Sequence, residues 1–183
     1  MKIDKTRALP LILTGLVVLA DQGVKSFIVK NWPRSGTLIK DVFGNELLQI
    51  WHVRNKAIAF SLGSGIPDGL KPALFVVLPL LVLGLLFWYY LGSNEFTPLQ
   101  RWAAAGIFGG GLGNIIDRIF RPDGVVDFVS VKFYGLFGFE RWPTFNIADS
   151  CVVLCCILLF VTILLNSKKT GEQTERRPDE QKS

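Results

Sequence analysis

Four long apolar blocks constrain the fold of this chain more strongly than any other feature of its sequence. Half of the 183 residues are hydrophobic and only 19% are charged, which is more apolar surface than a soluble domain of this length can bury. About 20 apolar residues cross a bilayer as a helix, because a backbone inside lipid must satisfy its own hydrogen bonds. The blocks predict transmembrane helices over residues 8–29, 72–91, 101–120 and 146–166.

The segments between these blocks predict the topology. An even number of helices places both termini on one side, and the basic residues before the first helix and after the last indicate the cytoplasm. Residues 30–71 and 121–145 are then external loops. We expect one membrane-embedded domain over residues 1–166, followed by a disordered cytoplasmic tail over residues 167–183, which are polar and charged.

The first external loop carries a different pattern. Residues 37–42 and 47–53 are strand-like runs on either side of a short turn, which predicts a hairpin. The fold class expected from the sequence is therefore an all-α membrane protein with four transmembrane helices and a small extracytoplasmic β-sheet in the first external loop.

Charge and cysteine content exclude several classes of protein. The net charge is +5, but the basic residues flank the apolar blocks and form no compact patch, which argues against nucleic-acid binding. Cys151, Cys155 and Cys156 all lie in the fourth helix without a histidine beside them, so they are interpreted as packing residues. The lone His52 also argues against a zinc peptidase, and we expect neither a metal nor a cofactor.

Polar residues within or beside the apolar blocks are the candidates for function, since ionisable groups at membrane depth are costly. Asp21 and Lys25 lie late in the first block, and Asp149 lies in the first turn of the fourth. Asn114, Asp117 and Arg118 close the third block, while Asp127 lies in the loop that follows. On the predicted topology, all of these residues gather at one membrane surface.

Structural interpretations remain open for most of these residues. Asp21 and Lys25 stand four residues apart and can neutralise each other on one helical face. Asp117 and Arg118 can act as interface anchors, and Asp149 can be the acidic partner of a capping box that begins at Asn146.

Asp127 has no such local structural use, because it interrupts a β-favouring apolar run, residues 125–129. Two nearby carboxylates share a proton, since both cannot easily ionise. One can then activate water while the other donates a hydrogen bond to a scissile carbonyl. Asp127 with Asp149 therefore suggests aspartic peptidase chemistry. A Ser/Lys dyad drawn from Ser26, Ser61, Lys25 and Lys56 is an alternative that no spacing supports.

Several motifs resemble those of the lipoprotein signal peptidase family, also called signal peptidase II, of bacterial inner membranes. The resemblance extends from about residue 9 to residue 165. It rests on the following sequences: Asp21 with Lys25, Asn55-Lys56-Ala57-Ile58-Ala59-Phe60-Ser61, Gly113-Asn114-x-x-Asp117-Arg118, Val125-Val126-Asp127-Phe128 and Phe145-Asn146-x-Ala148-Asp149. Such enzymes cut the signal peptide of a diacylglyceryl-modified prolipoprotein just before the lipid-bearing cysteine.

The resemblance implies a role for each candidate. Asp127 and Asp149 fall on the two catalytic aspartates, and the resemblance assigns substrate binding to Asn55, Arg118, Asn114 and Asn146, of which the last two also support the site. Asp21, Lys25 and Asp117 are interpreted as structural polar support. The implied partners are the lipid-modified prolipoprotein and membrane phospholipid, and the enzyme is expected to act as a monomer.

Two departures and two rival functions accompany this interpretation. Ala57 stands where the family usually has glycine, and the segment over residues 119–126 is one residue longer than usual. A small proton-coupled transporter would also use membrane carboxylates, but transporters bind near the midplane between related repeats, and no repeat is visible here. A non-catalytic membrane assembly factor is the other alternative.

Overall fold

The computed structural model describes residues 4–56 and 67–180 of the chain. Its elements are α1 (Lys5–Ala8), α2 (Leu11–Asn31), β1 (Thr37–Asp41), β2 (Leu48–Asn55), α3 (Leu78–Gly92), α4 (Pro98–Phe120), β3 (Val125–Val131) and α5 (Ile147–Glu180). A π-helical turn over Ala73–Val77 leads into α3, and single 3-10 turns lie at Asp68–Leu70 and Leu136–Gly138. Ala57 and Ser61 fall outside the described residues.

Within the described ranges, three helical stretches are long and apolar enough to cross a membrane: Lys5–Asn31, Ala73–Gly92 and Ile147–Asn166. They correspond to the first, second and fourth predicted helices. The first stretch contains a break between α1 and α2 at Pro10, which has no N–H to donate. The π-helical turn of the second stretch comes directly before Leu78 and Pro79.

The third predicted helix, α4, is not among these stretches, and its surroundings explain its mixed composition. It packs against α2, α3 and α5, and buried residues occur along its whole length. Gly106 and Gly110 face α5, while Gly109 faces α2, and these small residues let the helices pack closely. Helix α4 begins three residues earlier than predicted, because Thr97 and Gln100 form a capping box ahead of it.

The last helix departs from the prediction at its end. The sequence predicts that this helix ends at residue 166 and that a disordered tail follows, whereas α5 continues to Glu180. Residues 167–180 contain several good helix formers, Lys, Glu, Gln and Arg, which favour extension of a helix that is already nucleated, although Gly171 and Pro178 oppose it.

The sheet has one more strand than the first loop supplies. Its described strands lie in the order β1-β2-β3, and both pairs are antiparallel. β1 and β2 confirm the predicted hairpin, but β3 comes from the segment between α4 and α5, so confining the sheet to the first loop was wrong. The β-branched run of β3 pairs with the edge of β2 that the hairpin leaves open, with Val53 opposite Asp127 and Asn55 opposite Val125.

A small apolar cluster fixes the sheet against the helices. Val126 and Phe128 of β3 pack with Ile28 near the end of α2, and Ile147 at the start of α5 contacts the same cluster. The sheet therefore lies at the end of the bundle where α2 and α4 finish and α5 begins. This arrangement brings the ends of β2, β3 and α4 to the first turn of α5.

Candidate active site

A cavity of about 700 Å³ opens where the sheet meets the first turns of α5. Polar side chains from four elements project into it: Asn55 from β2, Asn114 and Arg118 from α4, Asp127 from β3, and Asp149 from α5. The rest of the lining is largely apolar and consists of Val125, Trp142, Pro143, Thr144, Phe145, Ser150, Val152, Val153 and Leu154. The structure thus brings together five of the residues predicted for the site.

Asp127 lies in the middle of β3 and is only 2% exposed. Its two carboxylate oxygens accept hydrogen bonds from the amide of Asn55 at 3.0 Å and from that of Asn146 at 2.7 Å. Burial raises the pKa of Asp127 to about 7, because it disfavours the charged form; the Asn55 hydrogen bond opposes the rise, and the charge of Asp149 adds to it. This carboxyl can therefore hold a proton near neutral pH.

Asp149 caps helix α5 and also lines the cavity. One carboxylate oxygen accepts the backbone N–H of Asn146 at 3.1 Å, and Asn146 in turn accepts the backbone N–H of Asp149 at 2.9 Å. This is the predicted capping box. The other carboxylate oxygen accepts a hydrogen bond from the Asn114 amide at 2.7 Å. The cap fixes the carboxylate on the cavity wall.

Two asparagines connect the carboxylates. Asn146 is fully buried, and its side-chain amide nitrogen donates to Asp127 and to the side-chain amide oxygen Oδ1 of Asn114, 3.0 Å away. Because Asn114 donates to Asp149, the two aspartates belong to one hydrogen-bond network. Asn146 lies behind the cavity, whereas Asn114 lines it.

A buried ion cluster lies behind this network. Lys25 is 2.7 Å from an oxygen of Asp21 and 3.0 Å from an oxygen of Asp117, and all three side chains are fully buried. Lys25 also donates to Asn114 at 3.1 Å. Asp21 accepts the N–H of Ala148 at the start of α5. These residues do not line the cavity; the cluster joins α2, α4 and α5 beneath it.

Asp117 extends the cluster to β3. Its carboxylate accepts the backbone N–H of Val126, the residue before Asp127, at 3.0 Å. Gln22 and Arg121 also donate to it. Neither partner is predicted from the sequence. Arg121 could have been, because it stands four residues after Asp117, a spacing that indicates an ion pair on one helical face.

The Ser/Lys alternative finds no support among the described residues. Lys25 is enclosed by the ion cluster, while Ser26 accepts a hydrogen bond from Arg121. The cavity wall over residues 142–145 was also not predicted. Those residues are placed by the bridge between Val129 and Phe145, a long-range pairing that leaves no local signal in the sequence.

The fold and the site together define a helical membrane protein with two linked carboxylates in a cavity at one end of its bundle. Comparison with known proteins narrows this class. Residues 13–165 match the family described as Signal peptidase (SPase) II, and the chain belongs to that family.

The most similar relatives include two spirochaete proteins named lipoprotein signal peptidase. The one from Treponema pallidum is 41% identical over 94% of this chain and 91% of its own length. The one from Treponema denticola is 46% identical over 92% of this chain and 96% of its own length. Membership of this family and the three apolar helical stretches together identify the chain as an integral bacterial membrane protein.

Two solved structures, both described as bacterial membrane enzymes, share the fold. One has a TM-score of 0.74 at 26% identity and covers 88% of this chain and 91% of its own. The other has a TM-score of 0.70 at 27% identity and covers 86% of this chain and 93% of its own.

Proposed function

We propose that this chain is an aspartic endopeptidase that removes the signal peptide from diacylglyceryl-modified prolipoproteins, cutting just before the lipid-bearing cysteine. The observation that carries the proposal is the pair Asp127 and Asp149, which face one cavity and share one asparagine network. Membership of the signal peptidase II family supports the substrate class.

The chemistry follows from the different environments of the two carboxyls. Asp127, with its raised pKa, holds the proton, and Asp149 is assigned the role of general base at the N-terminus of α5, where the helix dipole favours negative charge. Asp149 takes a proton from water as the water oxygen attacks the scissile carbonyl, while Asp127 donates a hydrogen bond to the carbonyl oxygen. Asp149 then returns its proton to the departing amine, and the C–N bond breaks.

The other site residues serve binding and support. Asn55 and Arg118 line the same cavity as Asp127 and Asp149, and we assign them to the substrate backbone. Asn114 and Asn146 hold the two carboxylates, whereas Asp21, Lys25 and Asp117 support them from behind. The apolar wall formed by Val152, Val153 and Leu154 suits a lipid-modified substrate.

The membrane topology belongs to the same proposal. We take α4 as a transmembrane helix in addition to the three apolar stretches, because its 23 residues are long enough to cross the bilayer. Both termini then lie in the cytoplasm, and the cavity lies at the extracytoplasmic face of the inner membrane. The protein is taken to act as a monomer. The carboxylates gather at one end of the bundle, which favours a peptidase over a transporter with a midplane site.

Substrate selectivity tests the proposal. Purified protein is incubated in detergent with a prolipoprotein that carries the diacylglyceryl group, and with the same chain in which the modified cysteine is replaced by serine. The expected product is a protein whose first residue is the lipidated cysteine, identified by mass spectrometry, with the serine chain left uncut. Cleavage of both chains, or cleavage elsewhere, contradicts the substrate assignment.

A further inference from the structure

The turn between β3 and α5 displays large apolar side chains at its tip. We call residues 133–139 the aromatic turn. Tyr134 is 65% exposed, Leu136 57% and Phe137 78%. We propose that the aromatic turn inserts into the lipid–water interface of the bilayer, as a membrane anchor beside the cavity.

The backbone of the turn is unusual for the residues that it carries. Tyr134 has a φ of 52° and Phe137 a φ of 55°, in the left-handed region that bulky side chains rarely adopt. Glycine would relieve this strain at both positions, as Gly135 and Gly138 do at φ 80°. Aromatic residues held in such a conformation and left exposed indicate a contact outside the chain.

The base of the turn is rigid and joins the cavity wall. The ring of Trp142 lies 5.0 Å from that of Phe133 and 5.9 Å from that of Phe139. Arg141 donates to both the hydroxyl and the carbonyl oxygen of Ser130 on β3. Because Trp142 lines the cavity, the depth of the turn in the bilayer also sets the depth of the cavity mouth.

The surroundings of the turn favour lipid as the partner. Val153 and Leu154 belong to a membrane-crossing stretch, are 56% and 67% exposed, and share the cavity wall with Trp142. An apolar surface thus runs from the membrane-crossing part of α5 to the base of the turn. The ammonium of Lys132 lies 5.3 Å from the centre of the Tyr134 ring and is paired with Glu46 at 2.8 Å. Its charge is therefore compensated, and the exposed aromatic residues of the tip are of the kind that collects at membrane interfaces.

Photo-crosslinking from single positions tests this inference. Benzoylphenylalanine replaces Phe137, Tyr134 or, as a control on the same turn's stem, the 70% exposed Glu140, and the full chain is irradiated in phosphatidylcholine vesicles. We expect several-fold more phospholipid adduct from positions 134 and 137 than from position 140, measured by mass spectrometry.

Equal or greater adduct at position 140, or no phospholipid adduct at the tip, overturns the proposal. In native membranes, adducts formed only with a protein would instead assign the turn to a protein partner and overturn it as well. Because adduct formation requires no peptide cleavage, its result is independent of the proposed peptidase activity.

Discussion

Asp149 performs two tasks in this structure, one for the helix that it begins and one for the cavity that it faces. One carboxylate oxygen completes the capping box with Asn146, and the other accepts a hydrogen bond from the side-chain amide of Asn114. A helix cap normally explains an acidic residue in a first turn without further function. Here the cap holds a carboxylate at a fixed place opposite Asp127, so the structural role serves the proposed chemistry.

The pKa of Asp127 leads to a prediction at the residue scale. If Asp127 must be protonated, kcat/KM falls by about tenfold per pH unit above its pKa, and this decline begins near pH 7. The Asn55→Ala variant should shift the decline to higher pH, because the Asn55 hydrogen bond favours the ionised form of Asp127. The measurement is kcat/KM against pH for both proteins. Activity that keeps rising beyond pH 8.5 or so would contradict the assignment of the proton to Asp127.

At the scale of elements, glycine lets α4 and α5 approach closely enough to align the site. A Cβ at Gly110 would collide with the backbone carbonyl oxygen of Ala148, the residue before Asp149. The backbone of Ala148 cannot rotate out of the way as a flexible side chain can, so the added Cβ must displace α5 itself.

Gly110→Ala is therefore expected to lower both the melting temperature and the cleavage rate, since Asp149 moves away from Asn114. Gly84→Ala on α3 is the matched control, because among the described residues no side chain or neighbouring element comes within 4 Å of its added Cβ. Alanine is favoured over glycine in a helix by about 1 kcal/mol, so this control should be as stable as the wild type or slightly more so. Thermal unfolding and cleavage in detergent are compared; identical behaviour of the two variants would refute the packing argument.

The buried ion cluster between α2 and α4 gives a second prediction, which concerns thermal stability. Lys25→Met removes the cation between the buried carboxylates of Asp21 and Asp117. Breaking a buried ion pair in this way costs about 3–5 kcal/mol, so we expect a large loss of thermal stability. Lys30→Met, an exposed position on the same helix, should stay within about 0.5 kcal/mol of the wild type. Equal melting temperatures for the two variants would show that the cluster contributes little.

Local patterns predict those elements whose signals lie within one stretch of sequence. The apolar blocks, the hairpin of β1 and β2 and the capping box at Asn146 are of this kind. The third strand of the sheet, the cavity wall at Trp142 and the partnership of Gln22 with Asp117 depend on long-range contacts. Asp127 is predicted as a functional residue because a carboxylate in an apolar, β-favouring run has no local structural role. The same run does not predict that residues 125–131 join the sheet, since that pairing is long-range.

At the scale of the whole molecule, the proposed topology makes α4 a transmembrane helix despite its glycines and its polar residues. Protein surrounds it on three sides through α2, α3 and α5, so lipid need not solvate it. The chain thereby places its polar network inside the bundle and its apolar side chains outside.

Reporter fusions test this topology. Alkaline phosphatase, which is active only outside the cytoplasm, is fused after Asn94, between α3 and α4, or after Asp123, beyond α4. We expect an inactive fusion at Asn94 and an active one at Asp123, with β-galactosidase fusions showing the opposite. The same result at both positions would mean that α4 does not cross the membrane.

The paired-aspartate mechanism is tested by measuring how fast the purified Asp127→Asn and Asp149→Asn variants cleave a lipid-modified prolipoprotein. Asp123→Asn is the matched control, because Asp123 is exposed and lies four residues before Asp127. Each of the first two variants should fold, as judged by thermal unfolding, and should lose at least about a hundredfold in rate, while the control cleaves normally. Folded Asp127→Asn or Asp149→Asn protein that cleaves at the wild-type rate would contradict the paired-aspartate mechanism.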